Sequence, residues 1–546
     1  MTIAATRPGT PGVSRADAMV AGPETPRPEA AAPEQPIPLR HIFGFIAMVF
    51  GMFMAILDIQ IVSASLAEIQ AGLSASADEV AWVQTSYLIA EVIAIPLSGL
   101  LSRAFSTRYL FVASAIGFTV MSVMCATASS INEMIVYRAL QGFLGGGMIP
   151  TVFATAYTLF PRSKQPITSP VIGLVATLAP TIGPTIGGYL TDLFSWHWLF
   201  LVNVGPGILV TIAVWLLVDF DQPDLSLLKR FDWVGLISMA GFLGALEYVL
   251  EEGPTRDWFE HEPVAICAAI SAISAVVFFW RAFTSKQPIV DLTAFNDRNF
   301  WTGSLFSFAL GVGLYGLTYI YPVYLARVRG FSALQIGETM FLTGVCMFIM
   351  APISGKLMTL VDPRKMMAVG FAGFALGTWL AHDITKDWQY GELIIPQILR
   401  GACLMLIMIP VNNISLGTLP PERIKNASGL FNLTRNLGGA FGLALINTIL
   451  NKRLDLHLAR LHEQVAWGRT MADETLANIT LAMAPLGSDA PAAALKKLSL
   501  LVRREATVEA ISDVFFALTL LFVAMILLLP LVRRPKAFGS AEGGGH

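Results

Sequence analysis

Residues 131–142 read INEMIVYRALQG, an apolar run with one arginine, Arg138, set deep inside it. Placing an arginine in hydrocarbon costs roughly 2.5–3.5 kcal/mol on insertion scales. Because membrane segments seldom carry such a charge without a use for it, Arg138 is a functional candidate by default. The stretch therefore predicts a membrane-spanning helix that holds a buried charge.

The next apolar run contains a second unusual stretch, which reads PTIGPTIGG at residues 180–188. Gly183 and Gly187 are small residues four apart, which lets a neighbouring backbone come close. Pro180 and Pro184 can bend a helix. We predict close packing here and a hinge whose residues are Pro180, Gly183, Pro184, Gly187 and Gly188.

Composition places the whole chain in a membrane. Of its 546 residues, 55% are hydrophobic and 14% are charged, whereas soluble domains carry about 25% charged residues. The net charge of −2 gives no basic field that would attract nucleic acid. The cysteines lie in apolar runs without disulfide or metal-ligand spacing, so no metal site and no cofactor are expected.

Apolar runs long enough to cross a bilayer, about 20 residues each, number about fourteen. Lysine and arginine cluster in alternate connections and at both ends of the chain, which predicts cytoplasmic termini and an even number of spans. The candidate spans are 42–64, 80–101, 108–128, 131–153, 167–190, 197–218, 233–250, 263–283, 300–322, 334–356, 364–382, 391–415, 427–450 and 510–532.

A weak internal repeat relates the fourth span to the twelfth. Residues 138–142 read RALQG and residues 397–401 read QILRG, and both runs continue to Met-Ile-Pro. Duplicated halves with a site between them are the usual construction of secondary transporters.

Two opposite charges are predicted to meet inside the bundle. At about 1.5 Å rise per residue, Asp58 of the first span and Arg138 of the fourth lie at the same depth to within roughly one turn. A carboxyl group that alternates between pairing with arginine and standing alone changes its proton affinity, so it can load and release a proton. The alternative is a static ion pair that only orients the helices.

Further polar residues fall inside the spans. Glu91, in the middle of the second span, is a candidate for proton coupling or for contact with a cationic substrate. It could equally be a protonated carboxyl hydrogen-bonded to a neighbouring helix. A tyrosine group at 315–324 is expected to form an interfacial belt rather than a substrate cage. The predicted substrate cavity contains Gln60, Gln141, Arg400, Asn412, Asn432 and Arg435.

No soluble catalytic pattern is present in the sequence. The glycines at 145–147 lack the lysine and hydroxyl residue of a phosphate-binding loop, and the membrane histidines do not cluster as an active site would require. We predict that the chain is not an enzyme. A non-transporting sensor is a further alternative, and it would tolerate substitution of Asp58.

These motifs resemble the major facilitator superfamily and, within it, the fourteen-span drug:proton antiporters (DHA2), EmrB-type multidrug permeases in particular. Residues 57–62, LDIQIV, look like the first-span motif of that group. Residues 138–142 look like the fourth-span motif, whose arginine is linked to proton coupling. Residues 179–188 look like the antiporter motif of the fifth span, which marks exporters. Residues 99–108 depart from the pattern, because Arg103 replaces an acid and should weaken the cytoplasmic gate.

The resemblance implies an all-α membrane protein with two six-helix halves, 40–220 and 300–537, and two inserted helices with a linker at 221–299. Composition predicts a disordered cytoplasmic tail at 1–39 and a flexible tail at 538–546. The long connection 451–509 is predicted to be periplasmic, as a lid, a partner surface or a flexible loop.

The implied function is proton-coupled export of amphiphilic compounds across the bacterial inner membrane. EmrB-type permeases work with an EmrA-like periplasmic membrane-fusion adaptor and an outer-membrane channel, so those partners are expected, with membrane lipid around the bundle. The alternative is an exporter dedicated to one metabolite, such as a siderophore or an organic acid.

Overall fold

A computed structural model describes residues 37–161, 164–229, 231–465 and 469–533. Within these ranges the chain is helical and contains no β-strand. Most of the predicted N-terminal tail and all of the predicted C-terminal tail lie outside the described residues. The α-helices are α1 Leu39–Ala64, α2 Leu66–Gly72, α3 Ala77–Ala104, α4 Thr107–Ala126, α5 Ile131–Gly145, α6 Met148–Leu159, α7 Gln165–Leu193, α8 Trp198–Leu201, α9 Val204–Leu217, α10 Trp233–Glu252, α11 Glu262–Thr284, α12 Arg298–Arg327, α13 Ala333–Leu360, α14 Pro363–His382, α15 Tyr390–Leu416, α16 Pro421–Gln464, α17 Thr470–Ala482 and α18 Ala490–Leu528.

Every predicted span coincides with a helix or with a consecutive pair of helices. In the described part of the chain, 11 helical segments are long and apolar enough to cross a membrane. The other three predicted spans are the α5–α6 pair, α14 and α16. The fourth span is divided after Gly145, where Gly146 and Gly147 separate α5 from α6.

The helices group as the predicted fold requires. Helices α1 to α9 form one bundle and α12 to α18 a second, which meet through α3 against α16, α6 against α16 and α7 against α13. The inserted pair, α10 and α11, packs together, and α10 also lies against α3 and α16. The numerical boundaries of the halves and of the insert stay predictions.

The glycines of α7 bring it close to α1, as the sequence predicts. A Cβ atom added to Gly183 would stand 2.4 Å from Cβ of Gln60. One added to Gly187 would stand 2.8 Å from the carbonyl oxygen of Ile61. Helix α7 runs without a break through Pro170, Pro180 and Pro184. The close packing is confirmed, and the hinge motion stays a prediction.

The two bundles are in contact at the end that the sequence predicts to be cytoplasmic. The hydroxyl of Ser428 in α16 donates to the carbonyl oxygen of Pro150 in α6 at 3.0 Å. The hydroxyl of Ser169 in α7 donates to Oδ1 of Asn413 in α15 at 3.2 Å. These contacts close the path between the bundles on that side.

A cavity of about 710 Å³ lies between the bundles toward the opposite end. It reaches solvent, since the side chain of Asp78 on its wall is 80% exposed. With the predicted orientation, the protein is in an outward-open conformation. The polar lining residues include Gln60, Ser63, Gln84, Thr318, Tyr319 and Asn447.

Asp221, in the connection after α9, supplies the acid that residues 99–108 lack. Its carboxylate accepts hydrogen bonds from the Thr107 backbone nitrogen at 2.9 Å and from the Thr107 hydroxyl at 2.7 Å. It also forms an ion pair with Lys425 of α16, whose ammonium group donates to the carbonyl oxygen of Ser102 at 3.3 Å. The expected weakening of the gate by Arg103 is therefore wrong, because the acid comes from another part of the chain.

Helices extend into the connection 451–509 from both sides. Helix α16 continues to Gln464, about 21 Å beyond residue 450 at 1.5 Å per residue, and α18 begins at Ala490. The imidazole of His457 lies 2.7 Å from Glu509 and 2.8 Å from Asp513, which ties the two extensions together. The described part of this segment is thus largely helical, which disagrees with a flexible loop.

Candidate functional site

Asp58 and Arg138 form the ion pair that the depth count predicts. Nη1 of Arg138 donates to Oδ2 of Asp58 at 2.6 Å, and both side chains are 0% exposed. Helix α1 brings the carboxylate and α5 brings the guanidinium from positions 80 residues apart in sequence. Breaking a buried pair of this kind by removing one partner typically costs about 3–5 kcal/mol.

Amide and hydroxyl groups from α4, from α5 and from the junction of α8 and α9 complete a network around the carboxylate. Nδ2 of Asn203, at the junction of α8 and α9, donates to Oδ1 of Asp58 at 2.6 Å. Nε2 of Gln141 donates to the same oxygen at 3.4 Å and to the Ser122 hydroxyl at 2.8 Å. Oε1 of Gln141 accepts from Nη1 of Arg138 at 2.7 Å. The Asp58 carboxylate thus accepts hydrogen bonds from Arg138, Asn203 and Gln141.

The guanidinium of Arg138 makes cation–π contacts with two aromatic rings. Its central carbon lies 4.2 Å from the centroid of the Tyr87 ring and 5.7 Å from that of Phe200. Nε donates to the carbonyl oxygen of Val83 at 3.2 Å, while Nη2 has no hydrogen-bond partner among the described residues. Cation–π contacts are strongest where water is excluded, as it is here.

Glu91 lies on α3 four residues beyond Tyr87 but is not part of this network. It is 3% exposed, and it makes no hydrogen bond or ion pair within the described ranges, which argues against a carboxyl hydrogen-bonded to a neighbouring helix. It lines a second, small cavity, of about 60 Å³, together with Glu247 and Glu251 of α10. The structure therefore brings together two of the three predicted proton-coupling residues.

Comparison with known proteins identifies the family. A sequence model of the Major Facilitator Superfamily matches residues 48–443. The chain belongs to the major facilitator superfamily.

Two relatives match this facilitator over nearly its whole length. The "Colistin resistance protein EmrB" of Acinetobacter baumannii is 41% identical over 90% of this chain and 96% of its own. The "Multidrug export protein EmrB" of Escherichia coli K12 is 28% identical over 92% of this chain and 97% of its own. Among solved structures, the fold is similar to that of the proton:xylose symporter XylE, with a TM-score of 0.58 and 12% identity over 91% of this chain and 97% of that one.

Of the residues predicted to line the substrate cavity of this facilitator, Gln60 is in place on the large cavity. Gln141 lies instead in the Asp58 network. The other four side chains are buried and line neither of these two cavities, so their place in the substrate path stays a prediction. They are Arg400, Asn412, Asn432 and Arg435.

Two of these four keep unsatisfied polar groups in the closed part of the facilitator. Arg435 stands between the rings of Phe153 and Phe431, at 4.9 and 5.2 Å from their centroids. Its Nε and Nη2, and both side-chain polar atoms of Asn412, have no hydrogen-bond partner among the described residues. Unpaired buried groups are costly, so contact with water or a ligand would relieve that cost.

The predicted tyrosine belt is wrong. Tyr315 and Tyr319 line the large cavity, and the hydroxyl of Tyr319 donates to Oδ1 of Asn447 at 2.7 Å. Tyr321 and Tyr324 are fully buried. The position of a tyrosine near the end of a span does not show whether it faces lipid or the interior.

Sequence reasoning missed Asn203 and Ser122. Asn203 was visible as the one amide in the run LVNVG, residues 201–205, and a lone amide in an apolar span needs a partner. Ser122 carried no such signal, since a hydroxyl in a helix can bond to the carbonyl one turn back.

Proposed function

We propose that the protein exports amphiphilic compounds from the bacterial cytoplasm in exchange for protons. The observation that carries the proposal is the fully buried Asp58–Arg138 pair in the bundle beside a cavity of about 710 Å³ with mixed polar and apolar walls. The printed names of the relatives, colistin resistance and multidrug export, support the same class of substrate.

In the proposed cycle, a proton reaching Asp58 removes the charge that holds Arg138. The guanidinium then lacks a counter-ion in a water-free site, a state that costs several kcal/mol. Relief comes from rearrangement of α1 and α5, and α7 moves with α1 because Gly183 and Gly187 lie against it. Return of the proton to the cytoplasm restores the pair and the outward-open form.

Transport into inside-out membrane vesicles tests this proposal and the predicted orientation together. Compounds found by resistance profiling of cells with and without the chain are offered to vesicles with an acidic interior. Uptake should require the proton gradient and collapse when nigericin dissipates it, because export from the cell is uptake in this geometry. Gradient-independent uptake, or no difference from vesicles lacking the protein, would refute proton-driven export. Resistance confined to one compound would favour the dedicated metabolite exporter.

We also propose that the helical segment 451–509 binds a periplasmic membrane-fusion adaptor, which in turn reaches an outer-membrane channel. Support comes from apolar side chains left in solvent on this segment: Met471 is 82% exposed and Leu481 73%. Both side chains are thus available for contact with a partner.

Substitution on α17 tests the adaptor contact. Met471→Asp with Leu481→Asp should reduce co-purification with a co-expressed EmrA-type adaptor by about tenfold, since charge in an apolar contact is strongly unfavourable. Vesicle transport should be unaffected. Asn478→Asp, which adds a charge at an exposed site on the same helix, is the matched control. Undiminished co-purification by the double variant would remove this segment as the binding surface.

A further inference from the structure

Three carboxyl groups surround the small cavity of about 60 Å³, which has room for a cationic group. Glu91 comes from α3, while Glu247 and Glu251 come from the inserted helix α10, one turn apart on the same face. The cavity adjoins the large one, since Leu88, Glu251, Tyr315 and Leu443 belong to the walls of both. A compound in the large cavity can therefore reach these acids.

Close packing of α10 on α3 brings the acids together. A Cβ atom on Gly244 would stand 3.3 Å from the side chains of Ile89 and Ile93, so the glycine lets α10 approach. Near the outer end of the contact, the rings of Trp82 and Tyr248 are stacked with centroids 5.5 Å apart. Glu247 follows Gly244 by three residues and thus faces α3 beside Glu91.

None of the three carboxyl groups has a hydrogen-bond or ion-pair partner within the described ranges, although Glu91 is 3% exposed and Glu247 6%. The nearby cation, Arg256, is held by Asp78 at 2.9 Å and by Glu252 at 3.3 Å. Buried charges without partners are strongly unfavourable. The described chain therefore supplies no direct partner for these three acids, and a cationic ligand would provide one.

A second polar atom without a partner belongs to the adjoining large cavity. Oε1 of Gln84 is buried on the wall of the large cavity and has no hydrogen-bond partner in the described ranges. Like the carboxyl oxygens, it can only accept hydrogen bonds. A ligand that donates hydrogen bonds and carries positive charge would satisfy both.

The rest of the small cavity fits the apolar part of such a ligand. Its walls are formed by Ile59, Leu88 and Leu443 and by the ring of Tyr315, which lies against Gly439. An aromatic ring beside carboxylates is a common setting for organic cations. No group of acids among the described residues is arranged to hold a metal ion. The cation that we consider for this cavity is therefore an organic one.

We propose that Glu247 and Glu251, together with Glu91, bind the cationic group of amine and onium substrates, so that the inserted helix α10 selects substrates by charge. This inference rests on the proposed function as an exporter and names one substrate class for it. Helix α10 is then part of the binding site and not only a structural addition between the two bundles.

Binding of radiolabelled tetraphenylphosphonium to the full chain in lipid nanodiscs tests the inference, with empty nanodiscs subtracted. The variant Glu247→Gln/Glu251→Gln should bind this cation at least about tenfold more weakly, because it removes two charged partners. Binding of tetraphenylborate, an anion of the same shape, should not weaken. The matched control is Glu260→Gln/Glu262→Gln, which removes two exposed acids just beyond α10 and should leave the affinity within about twofold.

A conservative pair separates recognition from folding. Glu247→Asp/Glu251→Asp keeps both charges and should retain most of the affinity, whereas a loss as large as that of the glutamine pair would indicate structural damage and overturn the proposal. It is equally overturned if the unsubstituted protein fails to bind the cation, or if the glutamine pair binds it normally. In the latter case the acids would serve as proton carriers.

Failure of this inference and failure of the proposed function are distinguishable. Binding in nanodiscs is measured without a proton gradient, so Asp58→Asn should retain the affinity for tetraphenylphosphonium. Unchanged proton-driven transport by Asp58→Asn would refute the coupling role and leave the α10 result intact. Unchanged binding by the glutamine pair would refute only the cation site.

Discussion

Asp58→Asn is expected to abolish proton-driven efflux while the protein still inserts and folds. Asparagine has the shape of aspartate and keeps an oxygen that can accept from Asn203, which donates to Asp58 at 2.6 Å. It cannot take up or release a proton in the physiological range, so no proton can be exchanged for substrate at this position. Uptake into inside-out vesicles under an acidic-inside gradient should fall to that of protein-free vesicles.

The same variant should retain exchange of labelled for unlabelled substrate without a gradient, because the cavity at Gln60 and Tyr319 is unaltered. Asp192→Asn is the matched control, since it makes the same chemical change at an exposed acid. Gradient-driven uptake by Asp58→Asn at the normal rate would show that the coupling proton binds elsewhere, and Glu91 would then be the next candidate. A non-transporting sensor would show no gradient-driven uptake, either as the unsubstituted protein or as this variant.

The sequence was sufficient to find the Asp58–Arg138 pair because helix rise is nearly constant. Depth along a span follows from counting residues, and both residues lie in uninterrupted apolar runs. The direction in which a side chain faces around the helix axis cannot be counted in this way, because it depends on how the neighbouring helices pack. This is why Asn203 and Ser122 were missed, and why Tyr315 and Tyr319 were assigned to lipid instead of the cavity.

The predicted cavity residues show a second limit. Arg435 and Asn412 are polar and lie inside spans, as predicted, but the bundles are closed around them in the outward-open form. A transporter alternates between conformations in which different residues meet water. Sequence identifies the polar residues of the path, whereas the conformation decides which of them line a cavity at a given moment.

The gate at residues 99–108 shows a third limit, because the sequence does not tell which distant residue contacts this segment. Arg103 occupies a position where the superfamily usually has an acid, and a reading of residues 99–108 alone predicts a weak contact. Asp221 takes over this role from more than 100 residues away, by bonding Thr107 and Lys425. Such compensation follows from the fold, because only the fold brings the connection after α9 to the start of α4.

Arg138→Ala is expected to be more damaging to stability than the combined variant Asp58→Asn/Arg138→Ala. Removing the guanidinium leaves the Asp58 carboxylate buried without a counter-ion, which typically costs about 3–5 kcal/mol. Adding Asp58→Asn removes the unpaired charge, so part of the lost free energy of unfolding should be recovered. Loss of packing against Tyr87 is common to both variants and cancels in a double-mutant cycle.

Reversible unfolding of the purified protein in lipid–detergent mixtures measures this coupling. We expect a coupling free energy above about 2 kcal/mol between Asp58 and Arg138, whose atoms are 2.6 Å apart at 0% exposure. The reference pair is Asp219 and Arg108, 3.7 Å apart and partly in solvent, for which exposed ion pairs give about 0–1 kcal/mol. Equal coupling at the two sites would mean that water reaches Asp58 in this conformation. The proton would then have no barrier separating it from solvent, and pairing with Arg138 could not control when it is taken up.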